Sequence, residues 1–186
     1  MDTYSDDYLY GKFRNGDTDV FDELIRRYDE SLMWYLHGVL HDFQDAEDMM
    51  VEAFAKILEK KPRIGEGSFK AYLFRTGRNL AINLLKHSRR HEEFSLDGMD
   101  VEASTYETPE KKSAALEQKD ILYRCLERIE PDLREVLYLI YLDDLSYKEA
   151  AEVMKVNTKK IDNLLERGRK QMREELKKEG LTDTVI

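Results

Sequence analysis

Leu145-Ser146-Tyr147-Lys148-Glu149-Ala150-Ala151-Glu152-Val153-Met154, then Lys155-Val156, then a second run from Asn157 to Lys170, has the layout of a helix-turn-helix. Ser146 stands where a helix cap is needed, and Glu149 three residues on completes a capping-box pattern. Ala150 offers a small side chain where two helices must cross closely. Val156, Ile161, Leu164, Leu165 and Met172 supply one buried face. That leaves Lys159, Lys160, Asn163, Arg167 and Lys170 available to a major groove. Asn157 is a cap for the second helix, and the free amides beside it suit a phosphate. Helical hairpins in proteins that never touch DNA share this spacing, so the pattern has to be weighed with the rest of the chain.

Outward from this pair, apolar residues recur at helical spacing nearly throughout, and no stretch alternates with period two, so the expected fold is all-α. Helices are expected over about residues 6–13, from after Asp17 to about 40, over 45–60, 69–90, 111–129, 132–142, 147–154 and 158–178. Asn15-Gly16 marks a turn, Pro62 ends the third helix, and residues 62–67 form a glycine-bearing loop before Ser68, a cap for the fourth helix. Residues 92–110 hold seven acids, no Lys or Arg, one Gly and one Pro. This is the seam between two small domains. The expected organisation is a domain over 1–91, an acidic flexible linker over 92–112 and a second domain over 113–186.

Net charge is −9 over 186 residues, which at first argues against nucleic acid. The distribution argues the other way. Residues 69–91 carry six basic residues and no acid, and residues 155–173 carry seven basic residues against two acids, leaving −20 on the remainder. Two basic surfaces suit a polyanion, and the acidic remainder suits basic partners. On a helical wheel Phe69, Tyr72, Leu73, Thr76, Leu80 and Leu84 form a stripe to bury, with Tyr72 read as core. Arg75, Arg78, Asn79, Ile82, Lys86, Arg89 and Arg90 form another face, basic and amide-bearing, fit to touch DNA while the helix stays docked. The bland alternative is a solvated basic face.

The lone Cys125 is read as a buried core thiol in a reducing compartment, since it can form no internal disulfide. No apolar run approaches a membrane span and no secretory signal opens the chain, which places it in the cytoplasm with no membrane insertion. A competing enzyme reading, metal-dependent phosphohydrolysis, would use His37, His41, Asp42, Asp45 and Asp48, with His87 and His91 repeating the four-residue spacing. It leaves the basic face idle. Two further alternatives are a free-standing helix-turn-helix regulator and a helical interaction module with no DNA role.

Taken together, these stretches resemble the extracytoplasmic-function class of sigma-70-type factors over about residues 21–176. Asp45-Ala46-Glu47-Asp48 with Glu52 and Phe54 resembles the family's region 2.2. Phe69-Lys70-Ala71-Tyr72-Leu73 with Arg78-Asn79-Leu80-Ala81-Ile82-Asn83 resembles regions 2.3 and 2.4, and residues 133–176 resemble region 4. The resemblance implies an alternative sigma factor, not an enzyme, with no cofactor. It implies that Asp45, Asp48, Glu52 and Phe54 contact core RNA polymerase. Arg75, Arg78, Asn79, Lys86, Arg89 and Arg90, with the 62–68 loop, would recognise and melt the −10 element. Asn157, Lys159, Lys160, Asn163, Arg167 and Lys170 would read the −35 element of promoter DNA. It also implies an anti-sigma partner, and an acidic linker threading basic channels of polymerase. The sequence departs from the family pattern at Val51, where a glutamine is usual, and at Tyr72, where tryptophan is. Lys155 replaces a usual glycine and must then accept a positive φ. Asp162 and Glu166 stand at positions often basic or polar.

Overall fold

A computed structural model of the chain describes residues 4–94 and 114–180, without the side chains of 89–94 and 114–120. Every regular element among the described residues is helical: α1 (Asp6–Arg14), α2 (Phe21–Leu40), α3 (Phe43–Lys60), α4 (Phe69–Phe94), α5 (Ala114–Glu127), α6 (Pro131–Leu137) continuing into a π-helical turn (Tyr138–Leu142), α7 (Tyr147–Met154) and α8 (Thr158–Lys178). They fall into two compact units, one built on α1–α4 and one on the helices from α5 onward.

In the first unit α2 packs on α1, α3 and α4, and α3 packs on α4. Sequence dictates the bounds locally. Ser5 accepts the Tyr8 amide at the start of α1, and Asp42 accepts the Asp45 amide at the start of α3, each satisfying a donor the helix itself cannot. His41 and Lys61 take left-handed backbone at φ 59° and 42° where α2 and α3 end. The core is aromatic: Phe13, Phe21, Tyr35, Phe69 and Phe74 are all sealed from solvent. Phe13 and Phe21 lie 4.6 Å apart, and Tyr35 and Phe74 5.2 Å apart, both tilted as ring quadrupoles favour. At the α2–α4 crossing, Gly77 sits where an added Cβ would meet Leu32 Cδ1 at 3.2 Å.

In the second unit α8 packs on α5 and α6, around Leu133, Val136, Leu139, Ile161, Leu165 and Met172. Gly168 makes the α6–α8 approach possible, since a Cβ there would stand 3.1 Å from Leu137 Cγ and 3.3 Å from the Leu133 carbonyl oxygen. Cys125 is buried as expected, and burial pushes its thiol upward, away from the reactive thiolate.

Three sequence expectations are corrected. The fourth helix runs four residues beyond 90, the last three of them, 92–94, within the expected linker, because nothing in His91-Glu92-Glu93-Phe94 breaks a helix. Beyond it, the expected linker over 95–112 lies outside the described residues. The expected helix over 132–142 is α-helical only to Leu137, then closes with a wider turn in which the Asp143 amide donates to the Tyr138 carbonyl. Apolar spacing cannot tell the two helix types apart over one turn. Ser68 does not turn its hydroxyl into α4; it donates to the Glu66 carbonyl, while the Ser68 carbonyl accepts the Tyr72 amide.

Candidate nucleic-acid interface

The fourth helix has two faces, as its wheel required. Phe69, Ala71, Leu73, Phe74, Leu80 and Ala81 are buried, and α4 thereby docks on α2 and α3. Arg75, Arg78 and Asn79 are half-buried and Lys86 is exposed. Half-burial is what long basic side chains on a docked helix commonly show, since their apolar stems can cover the surface beneath them. The side chains of Arg89 and Arg90 lie outside the described residues. Tyr72 differs from expectation: it is half-buried, not sealed in the core, and the Arg75 guanidinium lies 5.2 Å from its ring centroid. An aromatic ring and a planar cation therefore sit together at the edge of the basic face, a pairing that accepts a base by stacking. Thr76, also half-buried, spends its hydroxyl on the Tyr72 carbonyl at 2.8 Å.

Ahead of this helix the loop over residues 61–68 exposes Arg63, Gly65, Glu66 and Gly67. Gly67 has φ 68°, and its amide donates to both carboxylate oxygens of Asp7 at 2.9 Å. The Tyr10 hydroxyl donates to the Pro62 carbonyl at 2.7 Å. Sequence reading missed both contacts, which span 60 and 52 residues; no local pattern signals them.

In the second unit the helix-turn-helix is built as its residues specify. The Ser146 amide and hydroxyl both donate to Glu149 Oε2, at 2.8 and 2.6 Å, and the Glu149 amide donates back to Ser146 Oγ at 3.3 Å. Lys155 makes the turn with φ 57°. Asn157 caps α8 by accepting the Lys160 amide at 2.8 Å. Ile161, Leu164, Leu165 and Met172 face inward, while Lys159, Lys160, Asn163, Arg167 and Lys170 are exposed. Arg167 holds Glu130 at 2.8 Å with both side chains 56% exposed. Such a pair is worth about 0–1 kcal/mol, so exchange onto a phosphate is cheap. Asp162 and Glu166 are exposed on the same helix. Arg169, absent from the sequence-derived set, donates to the Tyr147 hydroxyl at 3.4 Å and so ties α8 to α7.

The acidic residues on α3 occupy a third surface. Asp48 and Glu52 are exposed, Glu52 pairing with Lys56 at 2.8 Å, and Asp45 is half-buried. Burial first, and then the charges of Asp42 and Asp48, raise the Asp45 carboxyl above its ordinary range. Phe54 does not share this surface: at 5% exposure it packs edge-on against Phe21, 6.3 Å between centroids. Its place in the structure is the core, unlike the three acids that the resemblance groups with it. Val51, 57% exposed, and Leu58, 37% exposed, supply apolar area on the same helix. The histidine that opened the metal reading, His37, stacks on Phe43 at 3.8 Å. Among the described residues no group of three or more His, Cys, Asp or Glu side chains converges to hold a metal.

Comparison with known proteins follows the same division. A family model for Sigma-70 region 2 matches residues 24–91, and one for Sigma-70, region 4 matches residues 119–172. The chain is 29% identical over 161 residues to the ECF RNA polymerase sigma-E factor of Escherichia coli, covering 81% of this chain and 83% of that one. It is 28% identical over 158 residues to the RNA polymerase sigma-H factor of Pseudomonas aeruginosa (80% and 82% covered). With the ECF RNA polymerase sigma factor SigM of Bacillus subtilis it shares 26% over 155 residues (83% and 93%). Among solved structures the fold is similar to the sigma factor RpoE of Bartonella quintana, determined with the anti-sigma factor NepR, at TM-score 0.71 and 24% identity, covering 84% of this chain and 96% of that one. It is also similar to CnrH, determined with the cytosolic domain of CnrY, at TM-score 0.66 and 20% identity (92% and 97% covered).

Proposed function

The chain belongs to the sigma-70 family, in its extracytoplasmic-function class, and from that premise we propose that it joins core RNA polymerase and directs promoter recognition, DNA melting and transcription initiation. The observation that carries this reading is the pairing of two basic helix faces, on α4 and on α8, with a chain that is otherwise strongly acidic. In this reading the residues up to the end of α4 form the polymerase-binding and −10 domain, those from there to 112 a linker, and 113–186 the −35 domain. Asp45, Asp48 and Glu52, with the apolar area of Val51 and Leu58, dock on polymerase.

On the DNA side, Arg75, Arg78, Asn79, Lys86, Arg89 and Arg90 hold the −10 strand, and the 61–68 loop takes an unstacked base. Unstacking costs a few kcal/mol, offset by stacking on Tyr72 and by phosphate contacts. The work is done by binding alone, with no bond made or broken by the factor. Lys159, Lys160, Asn163, Arg167 and Lys170 enter the major groove at the −35 element, where a bidentate contact discriminates between bases by about 1–3 kcal/mol. Asn157 orders the amides at the start of α8 for a phosphate. The setting is the cytoplasm, and no helix among the described residues is long and apolar enough to cross a membrane.

An anti-sigma protein is proposed as the inhibitory partner, on the support of exposed Val51, Leu58, Tyr141, Leu142 and Tyr147 and of a fold relative determined with such a partner. Run-off transcription with core polymerase is the test: RNA from a defined start that requires this chain is expected. Absence of both polymerase capture and transcript at every candidate start site defeats the reading.

A further inference from the structure

Three contacts from α1 converge on one loop, and a fourth falls on Phe69, the first residue of α4. The Lys61 ammonium lies 4.7 Å from the Phe13 ring centroid, the Tyr10 hydroxyl holds the Pro62 carbonyl, Asp7 holds the Gly67 amide with both oxygens, and the Tyr10 ring packs 5.2 Å from Phe69. These grip the loop at both ends, while Arg63, Gly65 and Glu66 between them are exposed. The helix is in turn anchored to α2, since Asp6 accepts from Arg27 at 2.9 Å and from the Tyr28 hydroxyl, and Leu9 and Phe13 are buried. Its residues lie ahead of the span matched by the region 2 family model, which begins at residue 24.

We propose that α1 is a brace that sets the backbone of the 61–68 loop for DNA, with Asp7 and Tyr10 as positioning residues. The inference rests on the reading of this loop as the part that takes an unstacked −10 base. The loop contains two left-handed residues, Lys61 and Gly67; within it the Ser68 amide closes a turn on the Gly65 carbonyl at 3.1 Å and the Ser68 hydroxyl donates to the Glu66 carbonyl, and α1 adds the holds on Pro62 and Gly67 from outside. A loop ordered before DNA arrives loses less conformational freedom on binding, which is how preorganisation strengthens association. Asp7 fixes the Gly67 amide and so the exit into α4; Tyr10 fixes the Pro62 carbonyl and so the departure from α3. Burial holds the Tyr10 hydroxyl at a pKa of about 12, so it remains a donor at any working pH. Neither residue touches DNA in this arrangement.

The test uses the full chain, alone and with core polymerase, and as probe the duplex that the wild-type holoenzyme selects from a randomised pool. In the free protein, Asp7→Ala is expected to speed Gly67 amide exchange about tenfold or more, with Asp7→Asn, which keeps an acceptor, restoring most of the protection. Exchange at core amides such as those of Leu36 and Leu73 should not change. In the holoenzyme, Asp7→Ala combined with Tyr10→Phe is expected to slow promoter opening at least tenfold while polymerase affinity stays within twofold. Unchanged Gly67 exchange overturns the brace while the sigma reading stands. So does faster Gly67 exchange with opening at the wild-type rate, or core exchange that accelerates in step with Gly67, which would mark a general loss of stability. If the wild-type holoenzyme selects no duplex at all, the proposed function fails and the inference with it.

Discussion

At Gly168 a single hydrogen in place of a methyl decides how closely two helices approach. A Cβ there would press on Leu137 Cγ at 3.1 Å and on a backbone oxygen at 3.3 Å, neither of which swings aside easily. Gly168→Ala gains about 1 kcal/mol of helix propensity and meets an overpacking cost of about 1–3 kcal/mol. The expected outcome is net destabilisation of up to about 2 kcal/mol, read as a lowered urea midpoint at unchanged slope; a raised midpoint would show that α6 yields freely. Asp45 illustrates the opposite compromise. Its carboxyl is raised by burial and by Asp42 and Asp48, so its contribution to stability is fully present below the unfolded carboxylate pKa and is lost as pH rises through the raised value. Asp45→Asn is therefore expected to raise Tm at pH 7, with the gain fading as pH falls through the raised value and gone below about 4, and to weaken capture by core polymerase. A neutral-pH Tm at or below wild type would refute the first half. Surface residues were legible one by one in the sequence, whereas Phe54, which the family resemblance implies as a polymerase contact, is buried: an apolar residue in an acidic helix reads equally as an anchor for a partner or as core.

Among the helices, α4 is the most specified by pattern, because its acid-free basic face and its apolar stripe each repeat at helical spacing over about four turns. Reversing charge at Arg78 and Lys86 leaves the buried face intact. The Arg78→Glu, Lys86→Glu double variant is expected to retain polymerase affinity and to lose promoter opening, followed by permanganate reactivity of the melted strand. Loss of both together would mean that the helix serves structure alone. The caps were equally readable: Ser146, Glu149 and Asn157 all bond as spacing suggests, and Lys155 adopts the positive φ that its place in the turn demanded. Less readable were the π-helical close after Leu137 and the extension of α4 to Phe94, because a helix end depends on what the next turn packs against as well as on its own residues.

For the chain as a whole, charge segregation predicts the salt response. Each phosphate neutralised contributes a slope of about −0.9 in log K against log salt. Promoter affinity of the holoenzyme is accordingly expected to fall steeply with salt. Combining Lys159→Ala with Lys160→Ala is expected to flatten that slope by about two; a slope that does not move would place these lysines away from phosphate. The amino-acid sequence alone determined what depends on near neighbours: the all-helical class, the caps, the turn, the two basic faces and the family. Only the tertiary structure decided what depends on distant partners: the closeness of crossings at Gly77 and Gly168, the burial of Phe54, the half-open position of Tyr72 and the hold of α1 on the 61–68 loop. Helical periodicity names the face a residue occupies. What covers that face is set by packing between segments some 50–60 residues apart, about which local spacing carries no information.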